Sequence, residues 1–376
     1  SARRRGINCL VIDAGAIVNS IASYPVGMQF FTTPERLEIG DHPITCSGTR
    51  VTREEALMYY RGVVRAERLD VRPWVRLVDA DRDADGWTAV VESRSGEARI
   101  RTDRLVLATG YFDHPNLIDV PGESLPHVSH WFDEPHRTAK QRVVIVGGKN
   151  SAVEAALLAY RAGATVTLVH RGRELPPSVK YWLRPDFENR VKEGAIAARL
   201  GSRVTAISTE AVTIVDDTGQ TGTLPADRVY LLTGYHPDFA LLERLGVELE
   251  AETGRATIDP ETLESNAPGL YLAGSVASGR KISEVFIENG RFDGEKIFRD
   301  AARRRRAEAR YPAAPTTVGS IARIAHSALA ADGASLGPAT LAVLRPQSFR
   351  PLPSRRHTPE RTPHGRPHPE QQDHRH

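Results

Sequence analysis

One stretch limits the fold of this chain more than any other: residues Arg142 to His170 read as strand, glycine turn, helix and strand. Arg142–Val146 is a short β-branched run (RVVIV), the turn is GGKNSA, the helical pattern VEAALLAYRA stops at Gly163, and ATVTLVH follows. Two strands joined by a helix over so short a span must lie parallel, with the helix crossing one face of the sheet, so an α/β architecture is predicted. The tight turn of such a unit aims the unpaired N–H groups and the positive dipole end of the helix at a diphosphate. Gly147 and Gly148 permit close approach, Asn150 and Ser151 in the same turn are expected to contact the cofactor, and Ala152 stands where a third small residue lets the helix pack on the strand. Lys149 replaces the middle glycine of the G-x-G-x-x-G/A pattern; its backbone cannot lie bare against a pyrophosphate, although its ammonium group has the reach to meet one.

The end of the second strand narrows the ligand. An NAD-binding protein places Asp or Glu there, about 20 residues after the turn, to hold the ribose hydroxyls. This chain has His170-Arg171-Gly172-Arg173. A carboxylate would repel a 2′-phosphate, whereas guanidinium groups bind one through charge-assisted contacts, so NADPH is expected over NADH.

A second nucleotide site is visible in part. The opening SARRRGINCLVIDAG reads as the end of a helix, a stop at Gly6, and an apolar strand from Asn8 to Ile12 ending in Asp13, an acid suited to a ribose. The strand and G-x-G-x-x-G turn that should precede it do not appear in the sequence, which suggests an N-terminally truncated form. A doubly wound sheet puts that strand at its centre, so an open slot and a missing phosphate cradle are expected, with little cofactor retained.

The order of further landmarks carries a resemblance. FFTTPERLEIGD (Phe30 to Asp41), LVLATGYFDHPN (Leu105 to Asn116), VPGE (Val120 to Glu123), LTGYHPD (Leu232 to Asp238), SNAPGLYLAGSVASG (Ser265 to Gly279) and EVFIENGRFDGEKI (Glu284 to Ile297) flank the central unit. From about Ala2 to Phe298 the chain resembles the thioredoxin-reductase-like flavoproteins, and among them the bacillithiol disulfide reductases. The resemblance implies FAD and NADPH as cofactors. It sets Thr109 and Gly110 at the crossing between domains, close to the flavin nucleotide, with Thr233-Gly234-Tyr235 at the return crossing, and it brings Gly274 and Ser275 to the flavin's ribityl and pyrophosphate region. Many relatives have Asp where this chain has Ser275. The family's candidate redox cysteine lies in the FAD glycine loop, and no position here matches it. Cys9 reads as a small buried hydrophobe and Cys46 as a loop residue, so neither inherits a catalytic role.

Composition excludes several classes. The two cysteines form no metal-ligand or Cys-x-x-Cys spacing, which argues against a zinc site, a disulfide framework and an internal redox dithiol. No run is long and apolar enough for a membrane span, and the cytoplasm is the expected compartment. Residues 301–376 carry 13 arginines against five acids and end in a Pro, Arg and His mixture. This tail reads as mostly disordered, with a short helix from Val318 to Ala331, and nucleic-acid binding by it is not favoured. Deleting Thr316 to His376 is therefore expected to cost little stability.

The expected fold is α/β with two Rossmann-like dinucleotide-binding domains: FAD-binding segments at 1–118 and 236–300, an inserted NAD(P)H-binding domain at 119–235, and the tail at 301–376. The expected activity is NADPH-dependent, FAD-dependent reduction of a small disulfide such as bacillithiol disulfide, with a homo-oligomer left open. The rivals are a flavin monooxygenase-like enzyme and an inactive nucleotide-binding remnant.

Overall fold

The structure is a computed structural model, and it describes residues 1–281, 284–299 and 339–344. In chain order, β1 (Asn8–Asp13) is followed by α1 (Asn19–Ala22), α2 (Arg53–Ala66), β2 (Asp70–Pro73), β3 (Arg76–Asp83), β4 (Gly86–Ser93), β5 (Gly96–Thr102), β6 (Arg104–Leu107) and β7 (His114–Pro115). The middle holds β8 (Val128–Ser129), β9 (Arg142–Val146), α3 (Asn150–Arg161), β10 (Thr165–His170), α4 (Arg184–Lys192), β11 (Ile196–Leu200), β12 (Ser202–Ile207), β13 (Ala211–Asp216), β14 (Thr221–Pro225) and β15 (Arg228–Leu231). After β16 (Tyr235–His236) come α5 (Phe239–Arg244), β17 (Leu270–Leu272), α6 (Ile287–Gly290) and β18 (Ala339–Val343).

Two parallel sheets organise these elements, which bears out the expected α/β class. The first runs β17-β6-β18-β1-β2 and the second β11-β10-β9-β15-β8. Parallel strands covered on both faces read as continuous apolar runs, as RVVIV does. The antiparallel meander β3-β4-β5 covers one face of the first sheet: Trp87, Ala89 and Val91 pack on Ile12, Leu105, Leu107, Leu270 and Leu272. Helix α2 starts where it does because Thr52 and Glu55 form a reciprocal capping box, and it buries Ala56, Tyr60 and Val63 on one stripe. The chain leaves and returns through β7 and β16, which pair antiparallel, and the Thr233 hydroxyl donates to the Asn116 carbonyl at 2.6 Å.

The expected open slot in the first sheet is filled by a strand from the tail. β18 lies between β1 and β6, parallel to both, with Leu341 opposite Leu10 on one side and Leu105 on the other. Alternation does the rest: Leu341 and Val343 point into the cluster around Ile12 and Leu105, while Ala342 meets the opposite cluster of Ile7, Val106, Tyr271 and Phe298. The sequence signal was present, since ATLAVL between Pro338 and Pro346 is a short apolar run of the kind a central parallel strand uses. The surrounding Arg and Pro bias hid it. The helix expected from Val318 to Ala331, and the remainder of the tail, lie outside the described residues.

Candidate nucleotide-binding site

Glycine is required at the central turn by the close packing around it. Gly147 has φ 149°, and a Cβ there would fall 2.5 Å from the Leu232 carbonyl oxygen and 2.9 Å from the Ala152 methyl. A Cβ on Gly148 would fall 2.3 Å from the His170 ring. Ala152 is fully buried against this turn, so the small residue serves the close helix-to-strand contact expected of it. Helix α3 has Lys149 as its N-cap with no side-chain capping bond, which leaves its N-terminus open to an anion. Ser151 is exposed on this first turn, whereas Asn150 braces it: its amide donates to the Ser178 carbonyl and its oxygen accepts from the Lys180 N–H at 2.9 Å.

His170 lies beneath the turn. Its ring sits between Gly148 and Gly172, where burial first, and the neighbouring Arg171 charge second, lower its pKa. A neutral imidazole there shapes the floor of the site. The charges are supplied by Arg171 and Arg173, both exposed beyond the end of β10. Arg171 makes no ion pair among the described residues, while the Nε of Arg173 lies 2.7 Å from a carboxylate oxygen of Asp217.

The other predicted residues gather at the carboxyl edge of the first sheet. Asp13 ends β1, is 3% exposed, and accepts the Gly15 N–H at 2.8 Å. Thr109 and Gly110 follow β6, and Gly274 and Ser275 follow β17; a Cβ on Gly110 would come 3.6 Å from the Ser275 hydroxyl. These strand ends form the crevice in which open α/β sheets bind ligands. Asp293, absent from the sequence expectations, accepts the Gly274 N–H at 2.7 Å, and burial raises its pKa. It lies in the GRFDG segment already quoted for the resemblance, which was its only signal.

The centre of that edge is different. β18 ends at Val343, whose carbonyl accepts the Ala108 N–H, and the N–H of Leu344 just beyond it donates to the Ile12 carbonyl. Asp13, Thr109, Gly110, Gly274 and Ser275 thus stand at the strand ends around β18, and among the described residues no glycine turn follows the central strand. Cys9, on β1, is half-buried with its thiol pushed up to about 11, which suits an inert side chain.

Glu154, one turn into α3, has no hydrogen-bond or ion-pair partner among the described residues, and burial pushes its carboxyl from 4.5 up to about 7. Between those values the folded chain holds a proton that the unfolded chain has released, so stability falls as pH rises through this window. Glu154→Gln should flatten that slope and stabilise the protein by about 2 kcal/mol above pH 7. Thermal midpoints at pH 5 and pH 8 check this, and an unchanged slope would refute it.

Comparison with known proteins places these features in a family. The pyridine nucleotide-disulphide oxidoreductase model matches residues 1–274. The chain belongs to the pyridine nucleotide-disulphide oxidoreductases. It is 41% identical over 299 residues to the bacilliredoxin reductase Bdr of Bacillus subtilis strain 168, covering 80% of this chain and 91% of that protein. Two solved structures of bacillithiol disulfide reductase Bdr (YpdA) superpose on it. The Bacillus cereus protein does so with TM-score 0.78 at 40% identity and the Staphylococcus aureus protein with 0.75 at 36%, each over 80% of this chain and 93% of the other. The resemblance drawn from the motifs is borne out, and oxidoreductases of this disulfide-reductase type use FAD and NAD(P)H. The matched span ends before β18, so the tail strand is a feature of this chain outside the family model. No helix among the described residues is long and apolar enough to cross a membrane.

Proposed function

We propose that this oxidoreductase takes its electrons from NADPH and delivers them to a low-molecular-weight disulfide of the bacillithiol type. The observation that carries the nucleotide assignment is the exposed Arg171, without an ion pair among the described residues, beside Arg173 at the strand end where an NAD-binding protein would carry an acid. In this reading Gly147, Gly148 and Ser151 take the diphosphate at the start of α3, Asn150 fixes the loop beside it, and His170 supports the turn from below. Ala152 holds helix and strand together. Asp13, Thr109, Gly110, Gly274 and Ser275 are assigned to the flavin's sugar and ribityl portions. The disulfide substrate is supported by the likeness to the two solved Bdr structures, each named a bacillithiol disulfide reductase, while the Bacillus subtilis relative is named a bacilliredoxin reductase.

Net turnover joins NADPH, a proton and one disulfide to give NADP⁺ and two thiols. The test is NADPH consumption on adding bacillithiol disulfide to purified protein with flavin bound, with thiols counted in parallel. Two thiols per NADPH are expected. Flavin-loaded protein that oxidises NADPH no faster with the disulfide than without it would overturn the substrate assignment.

A further inference from the structure

No acid stands among the first three residues after β10, yet the fold brings a distant one to them. Asp217 lies in the turn between β13 and β14, 44 positions beyond Arg173, with its Oδ2 2.7 Å from the Arg173 Nε. The turn that presents it is firmly built: the neighbouring Asp216 carboxylate accepts the N–H groups of Thr218 at 3.0 Å and Gln220 at 2.9 Å, and the Thr218 hydroxyl at 2.7 Å. A third turn closes on the same spot, because the Gly201 N–H donates to the Gly172 carbonyl at 2.8 Å. A Cβ on Gly201 would sit 3.1 Å from Asp217 Oδ2 and 3.8 Å from Arg173 Cγ, so the close approach of these turns depends on glycine. Two guanidinium groups and one carboxylate therefore share the edge at which the adenosine ribose of a dinucleotide is expected.

We propose that Asp217 is a specificity-determining residue that narrows the preference for 2′-phosphorylated nucleotides. It neutralises part of the Arg173 charge, it repels a 2′-phosphate dianion, and it offers a ribose 2′-hydroxyl the acceptor that an NADH-binding protein places at the strand end. Arg171 makes no ion pair among the described residues, so the preference for NADPH survives in reduced form. This inference rests on the NADPH assignment. The pair is largely solvated, with Arg173 84% exposed, so the effect is one of tuning: removing the carboxylate charge should change discrimination by roughly threefold to tenfold.

Calorimetric titration of the full chain with 2′,5′-ADP and with 5′-ADP tests the proposal, since both probes carry the adenosine and only one carries the 2′-phosphate. Asp217→Asn should raise the ratio of the two dissociation constants in favour of 2′,5′-ADP by roughly threefold to tenfold, and Asp217→Glu should keep the unmodified ratio. A merely structural carboxylate would weaken both probes alike. A ratio that stays constant or falls in Asp217→Asn overturns the role of Asp217. The underlying NADPH assignment fails separately, if replacing Arg171 and Arg173 together with alanine leaves the ratio where it was.

Discussion

Leu341→Asp is expected to unfold the first sheet while leaving the second intact. Leu341 is 1% exposed and sits in the central strand, with parallel neighbours on both sides. An aspartate there would be buried without a partner and would leave a void in the cluster around Ile12 and Leu105. Losses of this kind reach about 4 kcal/mol or more, a large part of the stability of an ordinary domain. Leu341→Ala, which removes only packing, should cost about 2–4 kcal/mol. Hydrogen exchange should show lost protection at Asn8–Asp13 and Arg104–Leu107, with Arg142–Val146 and Thr165–His170 still protected, because β18 pairs with none of the second sheet. Deleting Thr316 to His376 should do the same damage, against the expectation drawn from the tail's composition. Unchanged exchange in β1 and β6 would contradict the placement of β18.

The second large effect is on the nucleotide. Replacing Arg171 and Arg173 with alanine should weaken NADPH by roughly 30- to 100-fold, from two charge-assisted contacts, and leave NADH within about twofold. Arg171→Ala alone should account for the greater share, since Arg173 already engages Asp217. Fluorescence titration of the two nucleotides measures both. Equal weakening of NADH would mean that the substitutions disturb the fold near Gly172 instead of the phosphate contact.

What the sequence disclosed and what it concealed divide along a physical line. The βαβ unit was legible because all its signals are local: a β-branched run, two glycines forced by contacts with Leu232 and His170, a helix of apolar period, and a second strand. The features missed depend on residues far apart in the chain. β18 meets β1 across more than 300 positions, and its short apolar run was masked by the arginines and prolines around it. Asp217 reaches Arg173 only because the β13–β14 hairpin turn meets the loop after β10, and nothing local marks Asp217 apart from Asp216 beside it. Asn150 was expected as a cofactor contact in the glycine turn, yet its side chain ties down the Ser178–Lys180 loop, a contact that no spacing rule encodes.

Selection of NADPH by this nucleotide site is read from the affinity of the full, unmodified chain for the two nicotinamide nucleotides, measured by calorimetry at one ionic strength. Salt must be fixed because exposed charges are screened within about 10 Å at 0.1 M. The account predicts that NADPH binds at least about tenfold tighter than NADH, a gap that one unshared charge-assisted contact supplies. Equal dissociation constants for NADPH and NADH would contradict it.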